Sequence, residues 1–171
     1  MTSPHTFDTF QLIGAGIGFK QELCEMIAGS QLFSDLEWSD IEQLSSYMQC
    51  YKVPGRTLIF KEGDVGSYLC VVVSGQIEIV KEDQDGKPHR LVVITQGKTF
   101  GEMSIVDNER RSASCKAYCD SVLLVLTKQN YARIIKDRPG LAVIILTRLA
   151  KLMSQRLRSL SGQLVEYLDA D

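Results

Sequence analysis

The middle of the chain consists of short runs in which polar and apolar residues alternate. Residues 76–79 and 112–117 show this two-residue period, and several β-rich runs of strand length lie between residues 50 and 127. Glycine turns, such as Ser74 followed by Gly75, separate these runs at close intervals. About eight short strands joined in this way predict a closed β-barrel or a double-sheet jelly roll.

Two amphipathic helices are predicted before the β-rich region. Apolar residues recur at helical spacing in residues 20–28 and again in residues 39–48. Ser39 and Glu42 have the spacing of a capping box, in which two side chains satisfy free backbone N–H groups at the start of a helix. We therefore expect the second helix to start at Ser39.

After the β-rich region the period becomes helical again. A short helix is predicted over residues 129–136. A long helix is predicted from Pro139 to about residue 168, because proline fits the first turn of a helix. On this basis residues 1–30 form an N-terminal extension with a short helix, and residues 31–171 form the main domain.

The long C-terminal helix carries apolar residues at intervals of three or four. They are Leu146, Leu149, Met153, Leu157, Leu160, Leu164 and Tyr167. This stripe either packs on the chain's own barrel or forms a seam with a second copy of the chain. About 30 residues at about 1.5 Å each outreach a small barrel, which favours a homodimer.

Composition argues against several classes of protein. A net charge of −2 gives no chain-wide positive field to hold nucleic acid, and no apolar run approaches the roughly 20 residues of a membrane span. The first four residues lack the charged start and apolar core of a secretory signal. Five cysteines without CxxC spacing indicate unpaired thiols and a reducing compartment. We therefore expect a cytoplasmic protein with no direct nucleic-acid or membrane partner.

Three motifs resemble functional sites but lack a required part. Residues 14–18 are glycine-rich but lack the preceding strand and the βαβ unit of a dinucleotide-binding loop. A metal centre in a jelly-roll enzyme, or a catalytic triad, needs more histidines than His5 and His89. Cys115 and Cys119 are interpreted as small core residues. We predict no catalytic residue, no metal site and no cofactor.

Residues 98–114 have the composition of an anion site. Gly101 and Glu102 precede a stretch that is able to form one helical turn, and Arg111 follows at the head of an alternating run. Backbone N–H groups, hydroxyls and arginine bind phosphate, and a carboxylate accepts hydrogen bonds from sugar hydroxyls. The candidate phosphate ligands are Gly101, Ser104, Arg111 and Ser112. On spacing alone, a surface ion pair between Glu102 and Arg111 explains the pattern equally well.

Three motifs occur together in the order found in one protein family. Residues 54–64 and 68–75 precede a segment, residues 100–113, that we call the cassette. The matched residues of the cassette are Phe100, Gly101, Glu102, Met103 and Ser104, followed by Arg111, Ser112 and Ala113. These motifs resemble the early strands and the phosphate-binding cassette of cyclic nucleotide-binding domains, the family of the bacterial catabolite activator protein and of protein kinase A regulatory subunits. The similarity covers about residues 32–160.

The resemblance implies a mainly β fold, an eight-stranded antiparallel β-roll with N-terminal helices and a long C-terminal helix, which binds cAMP or cGMP. By position, Glu102 matches the acceptor of the ribose 2′-hydroxyl, and Arg111 matches the partner of the cyclic phosphate. Ser112 matches a hydroxyl beside the phosphate or base. Leu160 and Ser161 match the positions at which the C-terminal helix caps the base.

The sequence also departs from the family pattern. Leu160 replaces a polar residue, so the resemblance does not imply a preference between the two bases. Only 14 residues follow Leu157 in this sequence, so we expect no winged helix-turn-helix here, and we also expect no kinase, channel or esterase module. We therefore expect a non-enzymatic receptor that signals through its C-terminal helix or an effector protein. The alternative is an interaction or dimerisation module that keeps the fold without binding nucleotide.

Overall fold

A computed structural model describes residues 10–15 and 17–169, and within them the chain has five α-helices and nine β-strands. The helices are α1 (Lys20–Ala28), α2 (Trp38–Ser45), α3 (Met103–Asp107), α4 (Lys128–Asp137) and α5 (Pro139–Leu168). The strands are β1 (Gln11–Gly14), β2 (Gln49–Val53), β3 (Leu58–Phe60), β4 (Tyr68–Ser74), β5 (Ile77–Glu82), β6 (Pro88–Ile94), β7 (Thr99–Phe100), β8 (Ser114–Ala117) and β9 (Ser121–Thr127). The predictions for the first four residues, His5 and Gly16 lie outside the described residues.

Two antiparallel sheets form a β-roll. The five-stranded sheet has the order β1-β2-β9-β4-β7, and the four-stranded sheet has the order β3-β8-β5-β6. The strands β2 to β9 all lie in the region for which the two-residue period predicts strands. The predicted mainly β fold, with flanking helices and a long C-terminal helix, is confirmed.

The central strands β4 and β9 are buried on both faces. In β9, Leu123 and Val125 belong to the core inside the roll, whereas Leu124 and Leu126 pack in a second core that includes the helices. A strand covered on both sides has no solvent-facing positions for polar residues. This explains why these strands read as continuous apolar runs.

The second core lies between the five-stranded sheet and the helices. Leu23 and Ile27 of α1, Ile134 of α4 and Leu149 of α5 are all fully buried there. Helix α1 lies in the predicted N-terminal extension, yet its apolar face belongs to the core of the whole chain. The division of the chain at residue 30 stays a prediction.

Two local predictions near the N-terminus are wrong. Strand β1 exists where the sequence shows no strand pattern, because antiparallel pairing with β2 supplies its hydrogen bonds. Helix α2 starts at Trp38 with Glu37 as its N-cap, and no side chain caps it. Ser39 therefore lies inside the helix, and the predicted capping box with Glu42 does not form.

Helix α5 packs on the rest of the chain over its first half. Leu149 is fully buried, whereas Leu157 and Leu160 are 67% and 62% exposed. The predicted stripe is therefore wrong at Leu149, whose side chain belongs to the chain's own core. Eight apolar residues of α5 outside the core recur at spacings that alternate between three and four, and we call them the α5 stripe. They are Val143, Leu146, Ala150, Met153, Leu157, Leu160, Leu164 and Tyr167.

The cysteines are all free thiols. Cys115 is buried, as its interpretation as a core residue requires, but Cys119 is exposed, so that interpretation is wrong for Cys119. Among the described residues, no group of histidine, cysteine and acidic side chains is arranged to hold a metal ion. Within the same part of the chain, no helix has both the length and the apolar character needed to cross a bilayer.

Candidate functional site

The cassette begins where β7 leaves the five-stranded sheet and ends as the chain enters β8 of the four-stranded sheet. Gly101 turns the chain with a φ of 75°, in the left-handed region that favours glycine. A Cβ at this position would also lie 2.8 Å from Nη1 of Arg111. Glycine is needed here both for the turn and for the close approach of the arginine.

Arg111 is the buried cation of the cassette, with only 4% of its surface exposed. Its Nη1 donates to the carbonyl oxygen of Gly101 at 2.8 Å and to Oγ of Ser104 at 3.3 Å. Its Nη2 donates to the carbonyl oxygen of Tyr68 at 2.8 Å. Hydrogen bonds from a charged donor are stronger than neutral ones, so these contacts fix the guanidinium in place.

Two aromatic rings also contact the guanidinium. Its central carbon lies 3.9 Å from the ring centre of Phe60 and 4.6 Å from the ring centre of Tyr68. The Phe60 ring packs in turn against Phe100, with ring centres 6.0 Å apart. A cation over an aromatic ring is stabilised by the ring quadrupole, and more so away from water. The aromatic side chains thus hold Arg111 in the orientation that its hydrogen bonds require.

The backbone of Arg111 joins the cassette to the loop between β3 and β4, residues 61–67, which we call the β3–β4 loop. The N–H of Arg111 donates to the carbonyl oxygen of Asp64, and the N–H of Gly63 donates to the carbonyl oxygen of Arg111, both at 2.9 Å. The exposed side chain of Arg110 donates to the carbonyl oxygen of Gly63 at 2.8 Å. These three hydrogen bonds therefore join the loop to the cassette.

Glu102 is the buried anion of the cassette and contacts helix α5. Glu102 is 3% exposed, and its Oε1 accepts a hydrogen bond from Nη1 of Arg156. Nη2 of Arg156 donates to the carbonyl oxygen of Thr99. The Arg156 side chain is 35% exposed, so the pair lies at the edge of the site. The alternative of a surface pair between Glu102 and Arg111 is wrong, because each buried charge has other partners.

Three buried side-chain atoms in the described residues lack a hydrogen-bond partner, and all three belong to this site. They are Oγ1 of Thr99, Oε2 of Glu102 and Nε of Arg111. Buried polar atoms in folded proteins are nearly always paired. A free donor and a free acceptor within the cassette, with the hydroxyl of Thr99 directly before it, indicate a place for a ligand that carries both kinds of group.

The structure brings together some of the predicted site residues. Phe100, Gly101, Glu102, Ser104 and Arg111 converge as described. Ala113 is also buried. The other two predicted residues of the cassette, Met103 and Ser112, lie at its surface. There the hydroxyl of Ser112 contacts Sδ of Met103 at 3.6 Å.

The two predicted residues of α5 do not join the cassette through a hydrogen bond in the described structure. Leu160 is exposed, and the hydroxyl of Ser161 donates to the carbonyl oxygen of Leu157 in its own helix. The residue of α5 that reaches the cassette is Arg156, one helical turn earlier. The assignment of Leu160 and Ser161 to the base stays a prediction.

Three residues that contact the buried charges were not identified from the sequence. They are Phe60 and Tyr68, which contact Arg111, and Arg156, which contacts Glu102. A signal for Arg156 exists, because it follows the buried Leu149 by seven residues and Leu152 by four. These three residues share the face of α5 that packs on the core. A cation on a core-facing position needs a buried acceptor, and Glu102 is that acceptor.

Two thiols lie inside the roll but do not serve as nucleophiles. Burial raises the pKa of Cys70 to about 12 and also raises the pKa of Cys115, while the charge of Arg111 lowers both to a smaller extent. A thiol reacts as its thiolate, which neither group forms near neutral pH. Both cysteines act as packing residues.

Comparison with known proteins identifies the family. The sequence profile of the cyclic nucleotide-binding domain matches residues 52–138. The Cyclic AMP receptor protein of Thermus thermophilus is 35% identical over 130 residues, which cover 76% of this chain and 58% of that protein. The chain belongs to the cyclic nucleotide-binding domain family.

The fold of this domain agrees with that assignment. A crystal structure of a cyclic nucleotide-binding domain from Methylobacillus flagellatus matches with a TM-score of 0.83 and 26% identity, covering 98% of this chain and 97% of that one.

A cGMP-dependent protein kinase of Plasmodium berghei is 29% identical over 104 residues, which are 61% of this chain and 12% of the kinase. The chain therefore spans less than two thirds of either of these two curated relatives, one named for cAMP and one for cGMP.

The contact between Glu102 and Arg156 predicts an effect on stability. Arg156→Ala should lower the free energy of unfolding by about 1–3 kcal/mol, because it leaves a buried carboxylate oxygen without its donor. Urea denaturation measures this change. The matched control is Arg158→Ala, since the Arg158 side chain is exposed and contacts Ser154, and its effect should stay within about 0.5 kcal/mol. Equal effects of the two substitutions would contradict a stabilising role for the contact.

Proposed function

We propose that this domain is a non-enzymatic receptor that binds cAMP or cGMP through the cyclic phosphate and the ribose. The observation that carries the proposal is the free donor Nε of Arg111 in the same cassette as the free acceptor Oε2 of Glu102. A cyclic nucleotide offers a partner for both, since its phosphate oxygens accept from a guanidinium and its ribose hydroxyl donates to a carboxylate. The family and the names of the relatives support the same class of ligand.

Glu102 links the proposed ribose site to helix α5. Its two carboxylate oxygens differ in their contacts. Oε1 accepts a hydrogen bond from Arg156, and Oε2 has no hydrogen-bond partner. Both oxygens share one charge, so a hydroxyl on Oε2 weakens the hold of Oε1 on Arg156. Ligand and helix are then thermodynamically coupled, and occupancy of the roll changes how firmly α5 is held. In this proposal the domain signals through the change in α5 or through an effector protein that recognises α5.

We propose that the α5 stripe binds the same stripe of a second copy of the chain. Alternation of three and four residues is the spacing of a coiled-coil seam, and the stripe keeps it from Val143 to Tyr167. Its large side chains are exposed at the end of the helix, where Leu157 and Tyr167 are 67% and 69% accessible. Apolar patches of more than a few hundred Å² usually mark an interface.

The proposed receptor acts in the cytoplasm. All five cysteines are free, and a reducing compartment keeps thiols in that state. The ligand is the cyclic nucleotide itself, and the proposal includes neither a cofactor nor a catalytic step.

One observation favours a second candidate function, an interaction or dimerisation module that no longer binds nucleotide. The guanidinium of Arg111 has protein acceptors on both terminal nitrogens, and Glu102 is paired with Arg156. These partners offset part of the cost of burying the two charges without a ligand. The receptor is favoured because the same pairing leaves Nε and Oε2 buried and unsatisfied, which costs free energy that a nucleotide would recover.

The phosphate contact predicts a difference between two adjacent arginines. Arg111→Ala should weaken cyclic nucleotide binding by roughly 2–5 kcal/mol, the usual cost of removing one partner of a desolvated charge pair. Arg110→Ala is the matched control and should have a much smaller effect, because the side chain of Arg110 is exposed and contacts Gly63. Calorimetry measures both, and thermal melting confirms that each variant is folded. Equal losses at the two positions would mean that the phosphate partner is misassigned.

The ribose contact predicts a preference that a single substitution removes. If Glu102 accepts the 2′-hydroxyl, 2′-deoxy-cAMP should bind the wild type more weakly than cAMP, by about 1–3 kcal/mol for a charged hydrogen bond. Glu102→Gln should shrink this difference, while the salt dependence that Arg111 confers stays the same. A variant with the same preference for ribose as the wild type would exclude Glu102 from the ribose contact.

The α5 stripe predicts a homodimer. Sedimentation should show a dimer of the wild type, and Leu157→Asp should convert it to a monomer because the charge lies in the apolar seam. Ser159→Asp is the control, since this exposed position lies outside the stripe, and it should leave the dimer intact. Ligand should shift the dimerisation constant by the same factor by which dimerisation shifts ligand affinity. A wild-type chain that stays monomeric at high protein concentration would contradict the seam.

A further inference from the structure

Gly66 in the β3–β4 loop occupies a position where a side chain does not fit. A Cβ at Gly66 would lie 2.0 Å from Oγ and 2.1 Å from Cβ of Ser104 in α3. Atoms without a covalent bond do not approach this closely. The backbone of Gly66 is not among those with positive φ, so alanine meets no conformational barrier there. Glycine is required at this position for space alone.

Ser104 fills the space that Gly66 leaves and contacts the arginine. Ser104 is 2% exposed, and its Oγ accepts a hydrogen bond from Nη1 of Arg111. The β3–β4 loop cannot retreat from Ser104 at low cost, because Gly63 and Asp64 hydrogen-bond to the backbone of Arg111. A larger residue at position 66 must therefore displace Ser104, and with it the guanidinium.

Gly66 also lies beside the free donor of the site. The position of its missing Cβ is 3.4 Å from Nε of Arg111, which has no hydrogen-bond partner. A methyl group there would be in van der Waals contact with Nε and would occupy space next to the donor. The absent side chain leaves that space next to the Nε–H group free.

We propose that Gly66 is a positioning residue for the anion site. It admits Ser104 to its place beside Arg111 and leaves the space next to Nε of Arg111, where a phosphate oxygen would bind, free of a side chain. This inference rests on the proposed function, since it takes the phosphate of a cyclic nucleotide as the ligand of Arg111. Gly66 and Ser104 form a complementary pair, because a side chain at position 66 would need the space that the side chain of Ser104 occupies.

A substitution cycle tests the pair through calorimetry with cAMP, cGMP and adenosine. Gly66→Ala should weaken binding of the cyclic nucleotide by at least about tenfold, or about 1.4 kcal/mol. Combining it with Ser104→Gly should restore the affinity to within about threefold of the Ser104→Gly single variant, because the clashing atoms are gone. Ser104→Ala is the matched control and should not rescue, since its Cβ still lies 2.1 Å from the new methyl group.

Binding of adenosine distinguishes an effect on the position of Arg111 from a general loosening of the fold. Adenosine has no phosphate, so its binding should change little in Gly66→Ala, whereas a fold that is merely loosened would lose both ligands equally. The inference is overturned if Gly66→Ala binds cyclic nucleotide like the wild type, if adenosine loses the same factor, or if Ser104→Gly gives no rescue.

Thermal melting of the same variants keeps the test independent of the proposed function. If the wild type binds neither cAMP nor cGMP, the proposed function fails. The pair is then judged by stability alone. Recovery by Ser104→Gly, but not by Ser104→Ala, of the melting temperature lost in Gly66→Ala supports the complementary packing, and no recovery overturns it.

Discussion

The buried guanidinium of Arg111 is the interaction on which the site depends. A charge removed from water is costly unless donors and acceptors surround it. Its acceptors come from β4 and from the turn after β7, and its backbone is bonded to the β3–β4 loop. Satisfying one cation therefore fixes the relative positions of segments from both sheets. The positive φ of Gly101 and the missing side chain of Gly66 both serve this packing.

The second buried charge connects the cassette to the C-terminal helix. Glu102 contacts Arg156 across 54 residues of sequence, at the point where α5 leaves the surface of the roll. Before this point one face of the helix is part of the core, and after it the apolar side chains are exposed. The contact thus lies where α5 no longer contributes buried side chains to the core. In the proposed receptor, a ligand that binds Glu102 acts on α5 at this point.

Features set by local sequence could be predicted, and those set by distant partners could not. The two-residue period of residues 76–79 and 112–117 predicts the roll, because alternation reports which side of a strand is buried. Strand β1 was missed because its hydrogen bonds come from β2. The predicted capping box does not form because α2 starts one residue before Ser39. Periodicity alone placed Leu149 in the same stripe as Leu157, because spacings of three and four do not show whether a residue packs on the chain's own core or on a second copy.

The candidate site shows the same division. The resemblance selected Glu102 and Arg111, which are both buried in one cassette. It did not select Arg156, whose role depends on how α5 crosses the cassette. Nor did it select Gly66, whose importance is visible only from the position of Ser104.

The most direct test is a calorimetric titration of cAMP and cGMP into the purified wild-type chain at two salt concentrations. We expect saturable binding of at least one of them, with an affinity that falls as salt rises, because the proposed partner of the cyclic phosphate is the charge of Arg111. Absence of binding heat for both nucleotides, together with no shift of the melting temperature in their presence, would contradict the account.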